Sequence, residues 1–175
     1  MRCRSHAFTL GLTILLFIPL SPLAAPLESA QDLPGDAEDA LDDNWSGWRV
    51  LQPDRIDRTC RPQSDGGAST MADFDGDGRS DYAVYIEAGQ RLHLVVLLSR
   101  VREFQAHEVE LPAPAPPVLP IGIEPRGKQY RPPGFQLEKF LSADTLALYR
   151  CGGEMTLYQW IGFRFQRLDL GRAEN

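Results

Sequence analysis

The hydrophobic positions of the chain form short runs that turn-forming residues separate. Residues 81–87 and 91–99 are two such runs, rich in β-branched and aliphatic side chains, with a turn at 88–90 between them. The second run is apolar at consecutive positions, which predicts a strand covered on both faces. Helical periodicity is nearly absent, so we predict a mainly β fold, either an antiparallel meander or a small sandwich with little helix.

Further strands are predicted on both sides of this hairpin. Their segments are 48–51, 69–72, 103–111, 135–141, 145–150, 155–160 and 163–170. Residues 103–111 alternate only in part, which is typical of an exposed edge strand. Residues 112–133 are rich in proline, which cannot donate a ladder hydrogen bond. We expect a stiff, irregular crossover there, and a docking peptide for a proline-reading partner is the alternative.

The N-terminal pattern predicts export. Arg2 and Arg4 precede an apolar run at 10–20 and a stretch of small residues, so residues 1–25 are interpreted as a signal peptide. The run is too short for a good spanning helix, and we expect no membrane span after cleavage. Residues 26–44 are interpreted as a flexible acidic leader with at most a short helix near 36–42. Residues 45–175 then form a single β-domain in a periplasmic or secreted protein.

The charge of the chain limits the classes of partner it can bind, and its cysteine content bears on the compartment in which it folds. The formal net charge is −6, and removal of the two arginines of the signal peptide gives −8. Such a chain is a poor candidate for nucleic acid or an anionic membrane. Removal of the signal peptide also leaves two cysteines, Cys60 and Cys151, which we expect to pair in an oxidising compartment. A catalytic thiol is the alternative, although no His or Asn context supports it.

The most informative segment is Asp-Phe-Asp-Gly-Asp-Gly-Arg-Ser-Asp at residues 73–81. So many carboxylates in one short turn repel each other unless a cation lies among them, and hard oxygen donors suit Ca²⁺. The predicted ligands are the carboxylates of Asp73, Asp75, Asp77 and Asp81 and the carbonyl of Arg79. An EF-hand loop would carry Glu at position 12, where this chain has Val84, so we predict strand–loop–strand. The alternative is an Asp/Gly turn without metal.

The string from Ala72 to Val84 resembles the calcium loop of FG-GAP and VCBS-type repeats. The resemblance implies that the loop joins two antiparallel strands and that its carboxylates coordinate Ca²⁺. Members of the family often carry several repeats, whereas this chain has one such loop. A full propeller is therefore not expected.

We predict an exported, calcium-binding, non-enzymatic domain with a structural or binding role, because the chain has no recognised nucleophile or phosphate-binding motif. One alternative is a secreted carbohydrate-active enzyme or carbohydrate-binding module. Another is a small partner or inhibitor of a different exported protein. The candidate partners are accordingly a protein or a glycan.

Three sets of residues carry the alternative functions. His93 and His107 would face each other as a metal pair if their strands turn near residues 100–102. Asp81 and Glu87 form a weak candidate acid/base pair for glycoside cleavage. A glycan-binding surface could draw on the aromatic residues, which are Tyr82, Tyr85, Tyr130, Tyr149, Tyr158 and the tryptophans.

Overall fold

The computed structural model describes residues 33–57, 67–111, 118–131, 138–150 and 155–169. Within these ranges the chain forms one α-helix, α1 (Gly35–Asp42), a single 3-10 turn at Pro53–Arg55 and eleven strands. The strands are β1 (Arg49–Val50), β2 (Ser69–Ala72), β3 (Asp81–Ala88), β4 (Arg91–Ser99), β5 (Phe104–Val109), β6 (Ile121–Glu124), β7 (Gln129–Tyr130), β8 (Lys139–Phe140), β9 (Thr145–Tyr149), β10 (Met155–Trp160) and β11 (Phe165–Asp169). Strand pairing within the sheets is antiparallel, and the prediction of a mainly β fold is confirmed.

The first sheet is built around β3. Strands β2 and β1 pair with successive halves of one edge of β3, and β4 and then β5 follow on its other edge. Strand β4 is covered on both faces, as its unbroken apolar run predicted. Leu94, Val96 and Leu98 belong to the core shared with the second sheet. Val95 and Leu97 belong to a separate core beneath α1.

The second sheet has the order β11-β10-β9-β6 and packs on the first. Leu146, Leu148 and Tyr158 of this sheet share the main core with β3 and β4. The two sheets also meet along the backbone, because Gly67 and Ile121 exchange hydrogen bonds of 3.0 and 3.3 Å. Strands β7 and β8 form a separate two-stranded ribbon. The architecture is a small sandwich whose sheets join at one edge.

Helix α1 was anticipated, but its packing was not. The sequence allowed a short helix near residues 36–42 inside an acidic leader. In the structure Ala37 and Leu41 are fully buried against the outer face of the first sheet, with Ala40 beside them. An apolar face of three small or medium side chains among several acids gives a weak sequence signal. This face nevertheless packs on the side of β4 that carries Val95 and Leu97.

The expectation that the crossover at 112–133 is irregular throughout was wrong. Strand β6 and strand β7 both lie in it, and β6 pairs with β9 at the end of the second sheet. Pro120 and Pro125 flank β6 rather than interrupt it, so residues 121–124 keep all of their backbone N–H groups. The prolines therefore delimit a strand here.

Several predictions concern residues outside the described ranges. These are the signal peptide at 1–25, the Cys60–Cys151 disulfide and the polyproline segment at 112–117. In the part of the chain that is described, no helix has the length and apolar character needed to cross a membrane.

The close contact between β6 and β9 gives a test of the fold. A Cβ atom at Gly122 would overlap the ring of Tyr149. That ring is held in place because its hydroxyl donates to Glu124 Oε1 at 3.3 Å. We expect Gly122→Ala to lower the free energy of unfolding by about 1–3 kcal/mol in urea denaturation, through overpacking. Gly35→Ala is the control, since no atom lies within 4 Å of the position that its Cβ would take; equal stability of both variants would contradict this packing.

Candidate metal site

The acidic loop is the connection between β2 and β3. The strands pair from Ser69↔Val84 to Ala72↔Asp81, so the loop at 73–80 closes a hairpin directly. This confirms the predicted strand–loop–strand. Gly76 and Gly78 have φ angles of 80° and 87°, a conformation that side-chain-bearing residues rarely adopt. The glycines let the loop curl tightly enough to bring its carboxylates together.

Three of the predicted ligands converge. One carboxylate oxygen from each of Asp73, Asp75 and Asp81 lies within 4.8 Å of the others. Calcium binds oxygen at about 2.3–2.6 Å, so the ligands around one ion lie no more than about 5 Å apart. The donor chemistry and the spacing therefore fit a hard divalent cation. The structure shows a cluster that could hold a metal ion, in which Asp81 is the buried member.

Backbone N–H groups of the loop orient these carboxylates. Asp73 accepts hydrogen bonds from Gly76 N at 2.8 Å and Gly78 N at 3.0 Å. Asp75 accepts one from Asp77 N at 3.1 Å. Because each carboxylate oxygen has two lone pairs, these bonds leave acceptor capacity for a cation. The loop backbone thus fixes the direction of the side chains.

Asp81 is the most constrained carboxylate. It is fully buried, and its two oxygens accept hydrogen bonds from Phe74 N and Ser99 N, each at 2.8 Å. Burial raises the pKa of Asp81 to about 7, although these backbone donors oppose the shift. A bound cation would favour the ionised form.

Arg100 supplies positive charge at the rim of the cluster, and no pattern in the sequence had indicated it. Its Nη1 donates to Asp75 Oδ2 and lies 4.0 Å from Asp77 Oδ2. Asp77 is outside the three-residue group, and its Oδ2 also lies 3.5 Å from Nη1 of Arg79. The roles of Asp77 and of the Arg79 carbonyl as ligands stay predictions.

The loop is also attached to the second sheet through Asp144. Asp144 N donates to the carbonyl of Asp73 at 3.1 Å, and the Asp144 carboxylate accepts from Asp73 N at 3.4 Å and from Arg126 N at 2.9 Å. Ala143 lies against Gly76, where an added Cβ would come within 3.5 Å. The candidate site therefore occupies a joint between the two sheets.

The proposed pairing of the two histidines was wrong. His107 faces Val96 in the β4–β5 register, three residues from His93, so the two imidazoles lie on opposite faces. His93 Nδ1 lies 2.7 Å from Glu108 Oε1. His107 packs edge-on to Trp160 with ring centroids 4.7 Å apart, and burial lowers its pKa. The register differs because the turn occupies residues 100–103, with Ser99 opposite Phe104.

The carboxylate pair considered for glycoside cleavage does not form either. Asp81 and Glu87 are six residues apart on one strand, or roughly 20 Å at about 3.3 Å per residue. Glycosidase carboxylates lie no more than about 9.5 Å apart. Glu87 instead forms ion pairs with Arg49 and Arg55 at the far end of β3.

Comparison with family models, curated proteins and solved structures finds no match for this chain. The interpretation of the site therefore depends on its own geometry.

The raised pKa of Asp81 predicts an unusual pH dependence of stability in metal-free protein. The folded-state pKa of about 7 exceeds the ordinary 3.8, so the folded form holds the proton more tightly. This contribution to stability is present below about pH 4 and is lost as the pH rises through 7. Urea denaturation in chelator across this range should show it.

Asp81→Asn is the control, since the amide cannot ionise. The difference between wild type and variant isolates Asp81 from His107, whose lowered pKa acts in the opposite direction as the pH falls below 6.5. Parallel pH profiles for the two proteins would contradict the assignment.

Arg100 gives a second test of the cluster. We expect Arg100→Gln to tighten Ca²⁺ binding by roughly fivefold or more in calorimetric titration, because a competing cation beside Asp75 is removed. Arg102→Gln removes the same charge from the same turn and should have a smaller effect. Weaker binding in Arg100→Gln would show that the guanidinium supports the site instead of competing for it.

Proposed function

We propose that this chain is an exported, calcium-binding, non-enzymatic β-domain, similar to a single FG-GAP/VCBS-type unit, in which Ca²⁺ has a structural role. The supporting observation is the convergence of Asp73, Asp75 and Asp81 at the joint between the two sheets. The ion stabilises the β2–β3 hairpin by relieving the repulsion among these carboxylates. Residues Asp77 and Arg79 complete the proposed ligand set.

Electrostatics favours a divalent ion at this position. The three clustered carboxylates have Arg100 as a close cationic partner, at Asp75, so their negative charge is only partly balanced. Each ionised carboxylate removed from water without a partner is strongly destabilising. One Ca²⁺ supplies the missing positive charge and keeps Asp81 ionised.

Export is consistent with such a site. Extracellular calcium-binding modules have dissociation constants as high as about 10⁻⁴–10⁻³ M, and a single loop on one hairpin fits this range. Sites this weak are still occupied at the calcium concentrations found outside the cytoplasm. We therefore assign the protein to the periplasm or the extracellular space, with a structural or binding role there.

The glycan-binding alternative loses part of its support. Tyr85 and Tyr158, two of the aromatic residues considered for a sugar-binding surface, are buried in the main core. A protein partner or inhibitor role stays a prediction.

Calcium should raise the melting temperature of the purified mature protein above its value in EDTA. At ten times the dissociation constant the ion adds about 1.4 kcal/mol, which corresponds to roughly 3–6 °C for a domain of this size. Asp75→Asn should abolish this shift in differential scanning calorimetry. Asp54→Asn, an exposed carboxylate outside the cluster, should retain it. Identical melting of wild type in EDTA and in millimolar Ca²⁺ would exclude the proposed role.

A further inference from the structure

We propose that the end of the sandwich that carries the metal loop docks on an anionic lipid surface when Ca²⁺ is bound. The contact surface, called here the loop end, consists of the metal loop, which is the β2–β3 loop at 73–80, the β4–β5 turn at 100–103 and the β10–β11 turn at 161–164. This inference rests on the proposed function, because it requires the ion.

The contacts place the three segments at one end. Ser99, which ends β4, donates its backbone N–H to Asp81 at the start of β3, and Arg100 of the β4–β5 turn donates to Asp75 of the metal loop. Gln159, just before the β10–β11 turn, donates to Ser142 at 2.9 Å, in the connection that holds the metal loop through Asp144.

The strands that lead to the two turns also point the same way. Tyr158 of β10 donates to the carbonyl of Glu110, whereas Trp160, two residues nearer its turn, packs on His107. His107 is likewise nearer than Glu110 to the β4–β5 turn. Both hairpins therefore project their turns in the same direction.

Exposed apolar side chains concentrate on these turns. Among the described residues four large hydrophobic side chains are exposed, and three of them are Val101 (81 %), Phe163 (68 %) and Ile161 (37 %). The fourth, Phe140 (61 %), lies on the separate β7–β8 ribbon. Single apolar side chains at the tips of tight turns can enter a lipid interface without a shaped pocket to receive them.

Arginines flank the apolar tips. Val101 lies between Arg100 and Arg102, and Phe163 precedes Arg164. The Arg164 guanidinium lies over the Phe163 ring, with its carbon 5.4 Å from the ring centroid. A ring that enters the acyl boundary beside a guanidinium at the level of the phosphates matches an anionic bilayer surface.

Charge makes the docking depend on calcium. The loop end and its contacts at 81, 126 and 144 carry six carboxylates, Asp73, Asp75, Asp77, Asp81, Glu103 and Asp144, and five arginines, Arg79, Arg100, Arg102, Arg126 and Arg164. With every carboxylate counted as ionised, the formal net charge of these groups changes from −1 to +1 when one divalent ion binds. The negative charge of the whole chain argued against an anionic membrane, but that sum does not describe this local surface.

Vesicle sedimentation tests the inference. Mature protein is mixed with vesicles of phosphatidylcholine and phosphatidylglycerol in equal parts, or of phosphatidylcholine alone, in Ca²⁺ or EDTA. We expect sedimentation with the anionic vesicles in Ca²⁺ only, weakened by added salt. Phe163→Ser should lower the partition coefficient about tenfold, and Arg164→Gln about fivefold. Phe140→Ser, which removes a similarly exposed ring outside the three segments of the loop end, should leave it unchanged.

Melting scans of the same samples separate this inference from the proposed function. Phe163→Ser should keep the full calcium-dependent rise in melting temperature. If calcium raises the melting temperature but the protein does not bind anionic vesicles, or binds them equally well in EDTA or as Phe163→Ser, the docking is excluded and the calcium site stands. If calcium changes neither, the calcium site itself is excluded. Binding to a glycan array or a protein through Phe163, without vesicle binding, would overturn the lipid assignment.

Discussion

The buried carboxylate of Asp81 is the constraint on which the rest of the structure depends. It begins β3, closes the β2–β3 pairing opposite Ala72, and accepts backbone hydrogen bonds from the metal loop and from the end of β4. A charged group without water is destabilising unless it is fully hydrogen-bonded or paired with a cation. The hydrogen bonds that satisfy this one carboxylate therefore hold together the metal loop, the start of β3 and the end of β4.

Because of this constraint, ordering of the metal loop would affect the second sheet as well as the β2–β3 hairpin. The loop contacts the second sheet through Asp144 and Ala143, and the backbone of the two sheets joins again at Gly67 and Ile121. An ion among Asp73, Asp75 and Asp81 would order a loop that already bridges both sheets. Calcium bound there, as proposed, would stabilise the packing of the sandwich as well as one turn.

Local patterns predicted the parts of the site that are close in sequence. The alternation of apolar runs and turns predicted β3 and β4, and the spacing of aspartates and glycines predicted the loop between strands. The contacts of Arg100 and Asp144 are 25 and 71 residues away from their partners in the loop, beyond the reach of a local motif. The position of Arg100 beside the loop could have been predicted from the sequence. The turn at 88–90 sets the β3–β4 register, which places residue 99, and hence its neighbour Arg100, near Asp81.

Register was the main source of error elsewhere. A turn shifted by a residue or two placed His93 opposite His107, whereas the side chains of a strand alternate and the true register separates them onto opposite faces. Proline density concealed β6, because composition averaged over residues 112–133 does not show the four residues between Pro120 and Pro125 that can pair. A short helix near residues 36–42 was anticipated, but the burial of α1 depends on a sheet surface formed by β3 and β4, which lie far from it in the sequence.

The position of Arg100 links the metal cluster to the turn beside it. Its guanidinium balances the negative charge of Asp75. Arg100 also belongs to the four-residue β4–β5 turn that exposes Val101. A divalent ion that binds Asp75 competes with this ion pair, because both cations use the same carboxylate. Release of Arg100 would leave its charge on the β4–β5 turn next to Arg102. The ion would thus raise the positive potential of this surface in two ways, by its own charge and by freeing a guanidinium that the carboxylates otherwise hold.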